Sequence, residues 1–473
     1  MQVGARNSVN ALSKHDVDPS WYNKKRSGKP VNSPAFLTKV GIGDFANADY
    51  HQRSGSLPNI TAVGEFHIEY LKVDKMLNLK SLLVLTAALL VVMSSQAAEE
   101  SEKLELSGFA RAVGGFVDTD KATYEGYDDS VSFSEKSLIA VQADYNFSST
   151  LSASAQFLLH TDEDRESGIE WLYFTYAPTE EIQFNVGRLR TPFLKYSDVI
   201  DVGFAYPWIN APQQLYSSYM FSQYEGANSR YRATYGDAVV DFEVYYGRYK
   251  DDIISNGVDV EVKLDELYGG VVELNYGGFQ LRTAIISGPK VETTIDEVEP
   301  LIQGLRAAGF DDIAERFDIN DSANAVLLGA SYDTLSWYVS GEWMKISSDI
   351  DVLANLESFY VSYGYYYESV LFHLTYASSN QSVNIVDNTI PVGVTPELDL
   401  LHYSVEALNA FLPTDDLDTW TLGARWDVKT NLALKGEISF LDGKEGKTSF
   451  FDVEEQSFDR NATLYQVAVE WVF

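Results

Sequence analysis

The chain has 473 residues, no cysteine, and 69 acidic against 35 basic residues, which gives a net charge of −34 at pH 7. The absence of cysteine excludes a disulfide framework and thiol chemistry. The acidic balance argues against a nucleic-acid partner, because phosphate backbones are bound by basic surfaces.

Residues 1–75 differ from everything that follows. They show neither sustained strand alternation nor a helical stripe. Residues 1–97 contain 11 basic and 7 acidic residues, which leaves 24 and 62 in residues 98–473 and a net charge of −38 there. We interpret residues 1–75 as upstream sequence translated by mistake or as a disordered extension. A genuine cytosolic extension or pro-segment is the alternative.

Residues 76–97 have the pattern of a secretory signal peptide. Lys80 provides a basic start, residues 82–93 are apolar except for Thr86, and Ser95 and Ala97 are small residues at the cleavage positions. A transmembrane helix is the alternative, but it would need about 20 apolar residues. The pattern therefore predicts export, with a mature chain that begins at Ala98.

From residue 103 onward, apolar and polar residues alternate with a period of two, which predicts β-strands. The last segment is the clearest example. Sixteen candidate strands follow one another, at about 103–118, 136–147, 150–160, 168–178, 181–190, 225–236, 238–248, 267–276, 278–287, 323–332, 335–347, 357–367, 369–379, 418–428, 431–442 and 461–473.

The connections between these strands alternate between short and long. The tight turns lie near residues 148, 179, 236, 276, 333, 368 and 429, and the longest loops are 191–224, 288–322 and 380–417. Short turns at one end, longer loops at the other and an even strand count are typical of outer-membrane barrels. No apolar run after residue 97 is long enough for a spanning helix, so the chain would cross a membrane as a closed barrel. The sequence predicts an all-β fold, a transmembrane antiparallel β-barrel of about 16 strands with long outer loops and short periplasmic turns.

Aromatic residues mark one end of the strands. Each even-numbered strand ends in an aromatic residue just before its tight turn or the end of the chain: Phe147, Tyr176, Tyr235, Tyr276, Tyr332, Tyr367, Trp426 and Phe473. Aromatic rings favour the headgroup level of a membrane. The regular position of the eight residues predicts a girdle at the periplasmic interface.

The signal peptide, the sixteen strands, the long loop after strand five and the terminal Phe473 resemble the general-diffusion, trimeric porins of Gram-negative outer membranes. The stretch GRLRTPFLKYSDVIDVGFAYPWI, residues 187–209, is similar to porins of marine bacteria. The resemblance covers residues 98–473. The extra N-terminal residues and the excess of acidic residues depart from the family pattern.

The resemblance implies an outer-membrane homotrimer in contact with lipid and lipopolysaccharide. It also implies that the barrel-assembly machinery recognises the last strand, here through Tyr465, Trp471 and Phe473. A third implication is that loop 191–224 folds into the barrel as a constriction.

Strand parity predicts which charged residues face the lumen. An Arg or Lys at the lipid-facing midplane costs about 2–4 kcal/mol, so inward placement is expected. For any one of them, a lumen salt bridge without effect on transport is the alternative. The inward set is Arg111, Arg230, Arg232, Arg282, Arg425, Lys435, Asp144, Glu170, Asp241, Glu243, Glu273, Glu342, Asp427, Glu437 and Glu470. We expect this lining to be mostly small or polar.

Arg188 and Arg190 fall on the outward face by parity. A bulge at Gly187 would turn them inward, and a place at the rim or at a subunit contact is the alternative. Loop 191–224 adds Lys195, Asp198 and Asp201 among several aromatic residues. We expect basic groups on the wall, Arg190 included, and acids on the loop to form a transverse field at the narrowest point.

Two further loop features admit a structural and a functional interpretation. Residues 296–317 contain apolar residues at helical spacing, namely Leu301, Ile302, Leu305, Ala308 and Ile313, which predicts a short helix at the mouth or one that only packs the loop. The acidic segments 162–166 and 415–418 are candidate sites for Ca²⁺ or Mg²⁺, and solvated loops are the alternative. Neither segment has EF-hand spacing. We expect no metal or cofactor.

The combined pattern predicts an outer-membrane porin, a water-filled channel for passive diffusion of ions and small hydrophilic solutes. The alternatives are a substrate-selective channel for sugars or anions and a soluble, secreted β-sheet binding protein. An enzyme is not expected, because no Ser-centred elbow is present and His160 and His373 stand alone. A TonB-type transporter would need a plug domain, but only about five residues separate the expected mature start at Ala98 from the first strand. The sequence leaves the solutes and the sign of ion preference open.

Overall fold

The computed structural model describes residues 103–473 except 163–164, 166, 217–221, 256–257, 296–297, 318, 351–354, 413 and 456. The predicted extension at 1–75 and the predicted signal peptide at 76–97 lie outside the described residues. None of the described helices is long and apolar enough to cross a membrane.

Sixteen antiparallel strands form one closed barrel. They are β1 (Leu104–Val117), β3 (Leu138–Asn146), β4 (Leu151–His160), β5 (Gly168–Tyr176), β6 (Ile182–Arg190), β7 (Gln223–Tyr235), β8 (Ala238–Ser255), β9 (Val258–Tyr276), β10 (Phe279–Thr294), β11 (Ile319–Asp333), β12 (Trp337–Ser348), β13 (Asn355–Tyr367), β14 (Val370–Ser382), β15 (Leu417–Lys429), β16 (Leu432–Gly443) and β18 (Asn461–Val472). Each strand pairs with its neighbour along the chain, and β1 pairs with β18 to close the barrel. The predicted all-β barrel is therefore confirmed.

The strands β8 and β9 extend well beyond their predicted ends at 248 and 267. The prediction stopped where charged residues such as Lys250 and Asp251 interrupt the apolar alternation. One face nevertheless stays buried, because Tyr249, Val262 and Leu264 continue it. The two strands therefore form a hairpin that continues past the neighbouring strands at the end of the barrel that carries the long loops.

The aromatic residues at the tight-turn end lie where parity predicts them. Phe147, Tyr176, Tyr235, Tyr276, Tyr332, Tyr367 and Trp426 are all exposed on the outer wall. Some stack with neighbours, as Tyr176 does with Phe184 at 6.4 Å between ring centroids. They form a girdle of exposed aromatic side chains around the barrel. Above this girdle, most outward-facing side chains are aliphatic or aromatic.

Two small caps cover the end that carries the long loops. In the first, β2 (Ala122–Tyr124) pairs with β17 (Phe451–Val453) over a cluster of buried apolar residues. In the second, α2 (Glu299–Ala307) and α3 (Asp311–Arg316) pack with α4 (Pro396–Phe411). Helix within 296–317 is confirmed, but as two short helices and not the single one predicted. Leu301, Ile302, Leu305 and Ile313 are buried within this cap, whereas Ala308 is exposed at the end of the first helix.

The acidic segment 415–418 is bonded to its own chain. The Asp415 carboxylate accepts hydrogen bonds from Thr448 Oγ1 at 2.6 Å and from the Phe450 backbone nitrogen at 2.8 Å. The Asp416 carboxylate accepts one from the Gln381 backbone nitrogen at 2.6 Å. These carboxylates fix the loop next to the first cap.

The largest apolar cluster lies inside the barrel. It joins inward-facing residues of β9 to β12, such as Leu264, Ile286, Leu327 and Met344, to residues of the segment that follows β6. The expectation of a mostly small or polar lining is wrong for this part of the wall. The apolar residues are stable there because the inward-folded segment covers them and excludes water.

Candidate functional site

The chain leaves the sheet after β6, and the described residues of the segment 191–222, which are 191–216 and 222, lie inside the barrel. It contains two single turns of 3-10 helix, Ser197–Val199 and Gly203–Ala205, and the short helix α1 (Gln213–Tyr216). We call it the inner loop. Because most of it has no regular secondary structure, its backbone groups need other hydrogen-bond partners.

Three cations of the barrel wall bind carbonyl oxygens of the inner loop. Lys435 Nζ donates hydrogen bonds to the carbonyls of Gly203, Tyr206 and Trp208 at 2.7, 2.9 and 2.6 Å. Arg425 Nη1 donates to the carbonyls of Phe204 at 2.7 Å and Tyr206 at 3.1 Å, and Arg111 Nη2 donates to that of Ile209 at 2.7 Å. Hydrogen bonds to charged donors are the stronger class, so this part of the loop is held firmly.

Lys435 is balanced by acidic neighbours in the same wall. Its Nζ lies 2.7 Å from the Glu470 carboxylate, and both side chains are 1% exposed. Glu437 occupies the next inward-facing position of β16. Its Oε1 accepts a hydrogen bond from the Ile209 backbone nitrogen at 2.8 Å and lies 3.2 Å from His373 Nε2. The wall therefore offers donors and acceptors in the pattern that the loop backbone requires.

Neutral side chains complete this attachment. Trp208 Nε1 donates to Thr375 Oγ1 at 2.8 Å, and Gln214 Nε2 donates to Thr419 Oγ1 at 2.6 Å. Trp208 is 1% exposed, and its ring contacts Tyr360 at 5.3 Å between centroids. Parity already places Thr375 and Thr419 on the inner face, but sequence reasoning weighed only charged residues and missed them.

The start of the inner loop is fixed to the opposite part of the wall. Arg282 Nη2 donates to the Pro192 carbonyl at 2.7 Å, and the Lys195 backbone nitrogen donates to Glu342 Oε1 at 2.8 Å. Glu342 also accepts a hydrogen bond from the Tyr216 hydroxyl at 2.6 Å. Phe193 lies in the apolar cluster described above.

An ion network that is buried except at Arg165 holds the middle of the inner loop. Arg165 lies 2.6 Å from Asp201 and 2.9 Å from Glu170, while Arg190 lies 2.9 Å from Glu170 and also binds Asp201. Burial by itself would raise the pKa of Asp201, but Arg190 and Arg165 outweigh it and hold that pKa well below its ordinary value of 3.8. Asp201 is 6% exposed, so it does not face open water as expected for a residue of the transverse field.

The two arginines at the end of β6 point to opposite faces. Arg188 is exposed on the outer wall, 3.5 Å from Glu225, whereas Arg190 is buried on the inside. The pairing of β6 with β7 runs without a register shift through Gly187, so the expected bulge is not at that position. A register shift is found instead in the pairing of β4 with β5, at Glu170. Gly187 has φ of +144°, and a Cβ there would lie 2.2 Å from the Leu172 carbonyl oxygen.

One side of the inner loop remains open. Asp198 lies 3.3 Å from Arg230 of β7, which lies 2.9 Å from Glu243 of β8. The side chains of Asp198 and Arg230 are 48% and 42% exposed. Arg232 is still more exposed and pairs with Asp241 at 2.6 Å. Charged side chains of the loop and of the wall therefore meet here in contact with solvent.

Polar side chains continue along the wall beside this opening. Asn185 Nδ2 donates to Asn228 Oδ1 at 2.7 Å, and Asn228 Nδ2 donates to Glu243 Oε1 at 2.8 Å. On β3 and β4, the Asp144 carboxylate accepts hydrogen bonds from Gln142 Nε2 at 2.8 Å and from the Ser154 hydroxyl. The parts of β3, β4 and β6 to β8 that carry these residues thus present polar side chains to the interior.

The residues predicted to line a pore separate into two groups. Most of them hold the inner loop: Arg111, Arg190, Arg282, Arg425, Lys435 and Asp201, with Lys195 bonded through its backbone and, at 3.1 Å, through Nζ to Ser331. The others border the opening: Asp198, Arg230, Arg232, Asp241 and Glu243. We call the first group the held side and the second the open side.

No family model and no curated protein matches this sequence. Solved structures with a similar fold include OmpT, an outer-membrane protein of Vibrio cholerae, at 12% identity and a TM-score of 0.46, covering 78% of this chain and 97% of that one. The anion-selective porin from Comamonas acidovorans is similar at 15% identity and a TM-score of 0.47, covering 78% and 99%. The outer-membrane channel DcaP of Acinetobacter baumannii is similar at 11% identity and a TM-score of 0.46, covering 78% and 97%. At such low values, none of these structures assigns a family or a function to this chain.

Proposed function

We propose that this protein is an outer-membrane porin, a channel through which ions and small hydrophilic solutes diffuse passively. The observation that carries the proposal is the inner loop, which a closed barrel holds on one side and leaves open to solvent on the other. A barrel of sixteen strands is wide enough for an aqueous channel. A loop inside it narrows that channel without having to fill it.

The outer wall supports placement in a membrane. Above the girdle of exposed aromatic side chains, outward-facing charged residues such as Arg248, Glu357 and Asp442 lie about ten residues further along their strands, and Arg188, beside Glu225, lies closer to the start of its strand. Ten residues of a tilted strand correspond to an apolar band of about 25 Å, the height typical of outer-membrane barrels. Export through the signal peptide at 76–97 is part of the same proposal.

Single-channel recording tests this function. Purified protein added to a planar lipid bilayer should give stepwise increases in current, and it should need detergent for extraction. Replacing residues 196–222 by a short Gly-Ser bridge should raise the conductance of each step and admit larger sugars, because the constriction is removed. A protein that assembles but gives no steps would contradict the channel. A deletion variant that conducts like the parent would contradict the constriction.

We also propose that the last strand is the signal for the barrel-assembly machinery. The Phe473 backbone nitrogen donates to the Gly108 carbonyl at 2.9 Å, and its ring would contact any Cβ at Gly108. Trp471 is partly exposed beside it at 4.7 Å, and Tyr465 stacks on Phe116 at 5.0 Å. Deletion of Phe473 should lower the yield of heat-modifiable barrel, whereas Phe473→Tyr, which keeps the ring, should not. Equal yields from the deletion and the parent would contradict the proposal.

The oligomeric state and the lipid partners are further parts of the proposal. We expect a homotrimer in contact with outer-membrane lipid and lipopolysaccharide, as the sequence resemblance implies. Chemical cross-linking in native membranes should give a band of three subunits. A band pattern that stops at one subunit under conditions that cross-link a known trimer would contradict it.

A further inference from the structure

We infer that the open side of the inner loop makes the channel prefer cations to anions. This inference rests on the proposed function as a channel. Besides the close pair of Arg232 and Asp241, three carboxylates, Asp144, Asp198 and Glu243, and one guanidinium, Arg230, border the opening, so its local charge is negative.

Arg230 links two of these carboxylates directly, because it contacts both Asp198 and Glu243, at 3.3 and 2.9 Å. One guanidinium is therefore shared between two carboxylates. The third, Asp144, belongs to the polar face of β3 and β4, where it accepts a hydrogen bond from Ser154, the residue that pairs with Tyr173 of β5.

Asp144 has no cation to balance it among the described residues. Its carboxylate accepts hydrogen bonds from the amide of Gln142 and the hydroxyl of Ser154, which are both neutral. Neutral donors hold the carboxylate in place without cancelling its charge. Its negative field therefore extends into the water beside the opening.

Four of the other interior cations contribute little field at the opening, because each lies in a close ion pair. Lys435 lies against Glu470, and Arg190 lies against Glu170 and Asp201, all of them buried. Nearer the tight-turn end, Arg232 pairs with Asp241 at 2.6 Å and Arg282 pairs with Glu273 at 2.9 Å. A close ion pair has almost no net field at a distance, because its two charges cancel. The sign of the potential is thus set by the excess carboxylates, in line with the net charge of −38 on residues 98–473.

The reversal potential in a KCl gradient measures this preference directly. Purified full-length protein in a planar bilayer should show a permeability ratio of potassium to chloride of about three or more at 0.1 M salt, because a negative passage concentrates cations. The ratio should fall toward one at 1 M salt, where the Debye length is only about 3 Å. A wild-type ratio at or below one at 0.1 M would overturn the inference.

Three substitutions locate the effect. Asp144→Asn and Asp198→Asn should each lower the ratio by about half, and Arg230→Gln should raise it. Glu266→Gln serves as the matched control, because Glu266 is exposed on the outward face of β9 and should not change the ratio. Heat-modifiable mobility shows which variants are assembled, and two independent carboxylates keep the test decisive if one fails to assemble. Assembled Asp144→Asn and Asp198→Asn channels that both keep the wild-type ratio would overturn the inference.

This experiment separates the two levels of the proposal. Wild-type protein that conducts without cation preference contradicts only the inference. Assembled wild-type protein that does not conduct contradicts the proposed function itself.

Discussion

The two sides of the inner loop use charged residues in opposite ways. On the held side, Lys435 is 1% exposed and binds three loop carbonyls and a carboxylate. On the open side, Asp198 and Arg230 are almost half exposed and touch only at 3.3 Å. Buried cations therefore fix the position of the loop, and exposed charges face the water. The same residue types are structural in one place and exposed to solvent in the other.

The difference predicts that substitutions on the held side destabilise the barrel, whereas those on the open side do not. The largest effect is expected for Lys435→Ala. It leaves the buried Glu470 carboxylate and three carbonyls without their donor, which should lower the free energy of unfolding by about 3–5 kcal/mol. Urea unfolding in lipid vesicles measures this. Addition of Glu470→Gln should recover part of the loss, and no recovery would show that the ion pair is not the cause.

Asp201→Asn should lower the free energy of unfolding somewhat less, by about 3 kcal/mol at pH 7, because the buried Arg190 keeps Glu170 as a partner. The pKa of Asp201 is lower in the folded protein than the unfolded value of 3.8. Its stabilisation is therefore fully present above that value and is lost as the pH falls below it. The difference between parent and variant should be equal at pH 7 and pH 5 and should shrink below about pH 3.8. A difference that declines between pH 7 and pH 5 would show that another group is responsible.

Trp208→Phe should have a smaller effect on the held side. It keeps an aromatic ring against Tyr360 but removes the hydrogen bond to Thr375. The expected loss is about 1 kcal/mol of unfolding free energy. Thr375→Val should lose a similar amount, and the double variant should lose less than the sum of the two. Additive losses would indicate that the two side chains do not interact.

Asp198→Asn should have the smallest effect on stability, within about 0.5 kcal/mol, because exposed ion pairs contribute little. The same variant should change the reversal potential, as argued above. The stability of this variant should be compared with that of Asp201→Asn, three positions further along the same loop, for which a much larger loss is expected. A loss of stability as large as that of Asp201→Asn would remove the distinction between the two sides.

The strands were predictable from the sequence because one face of each must be apolar along its length. A slip of one residue would move every side chain to the other face, so the alternation is strict. Loops do not carry such a signal. The three-residue pairing of Phe451–Val453 with Ala122–Tyr124 is too short for any periodicity and joins residues more than 300 positions apart. The helix α4 was also missed, although Thr395, which accepts a hydrogen bond from the Leu398 nitrogen at 3.3 Å, and Pro396 form a recognisable start.

The interior could be predicted only in part. Parity correctly identified Arg111, Arg425 and Lys435 as inward-facing, but it gave no indication that their partners are loop carbonyls. Lys435 and Gly203 are 232 positions apart, and only the folded chain brings them together. For the same reason Asp198 and Asp201 looked equivalent in the sequence. Their difference depends on whether the facing arginine is buried.

The most direct test of the account uses the absence of cysteine from the chain. Asp198→Cys and Ser197→Cys place a thiol at adjacent positions of the inner loop. Asp198 is exposed, whereas Ser197 is buried. The Ser197 hydroxyl accepts a hydrogen bond from the Leu194 nitrogen at 2.9 Å. A charged, water-soluble thiol reagent added during single-channel recording should lower the current through Asp198→Cys channels and leave Ser197→Cys channels unchanged. Equal responses of the two variants, or no response at Asp198→Cys, would contradict the account that the open side of the loop borders the water-filled passage.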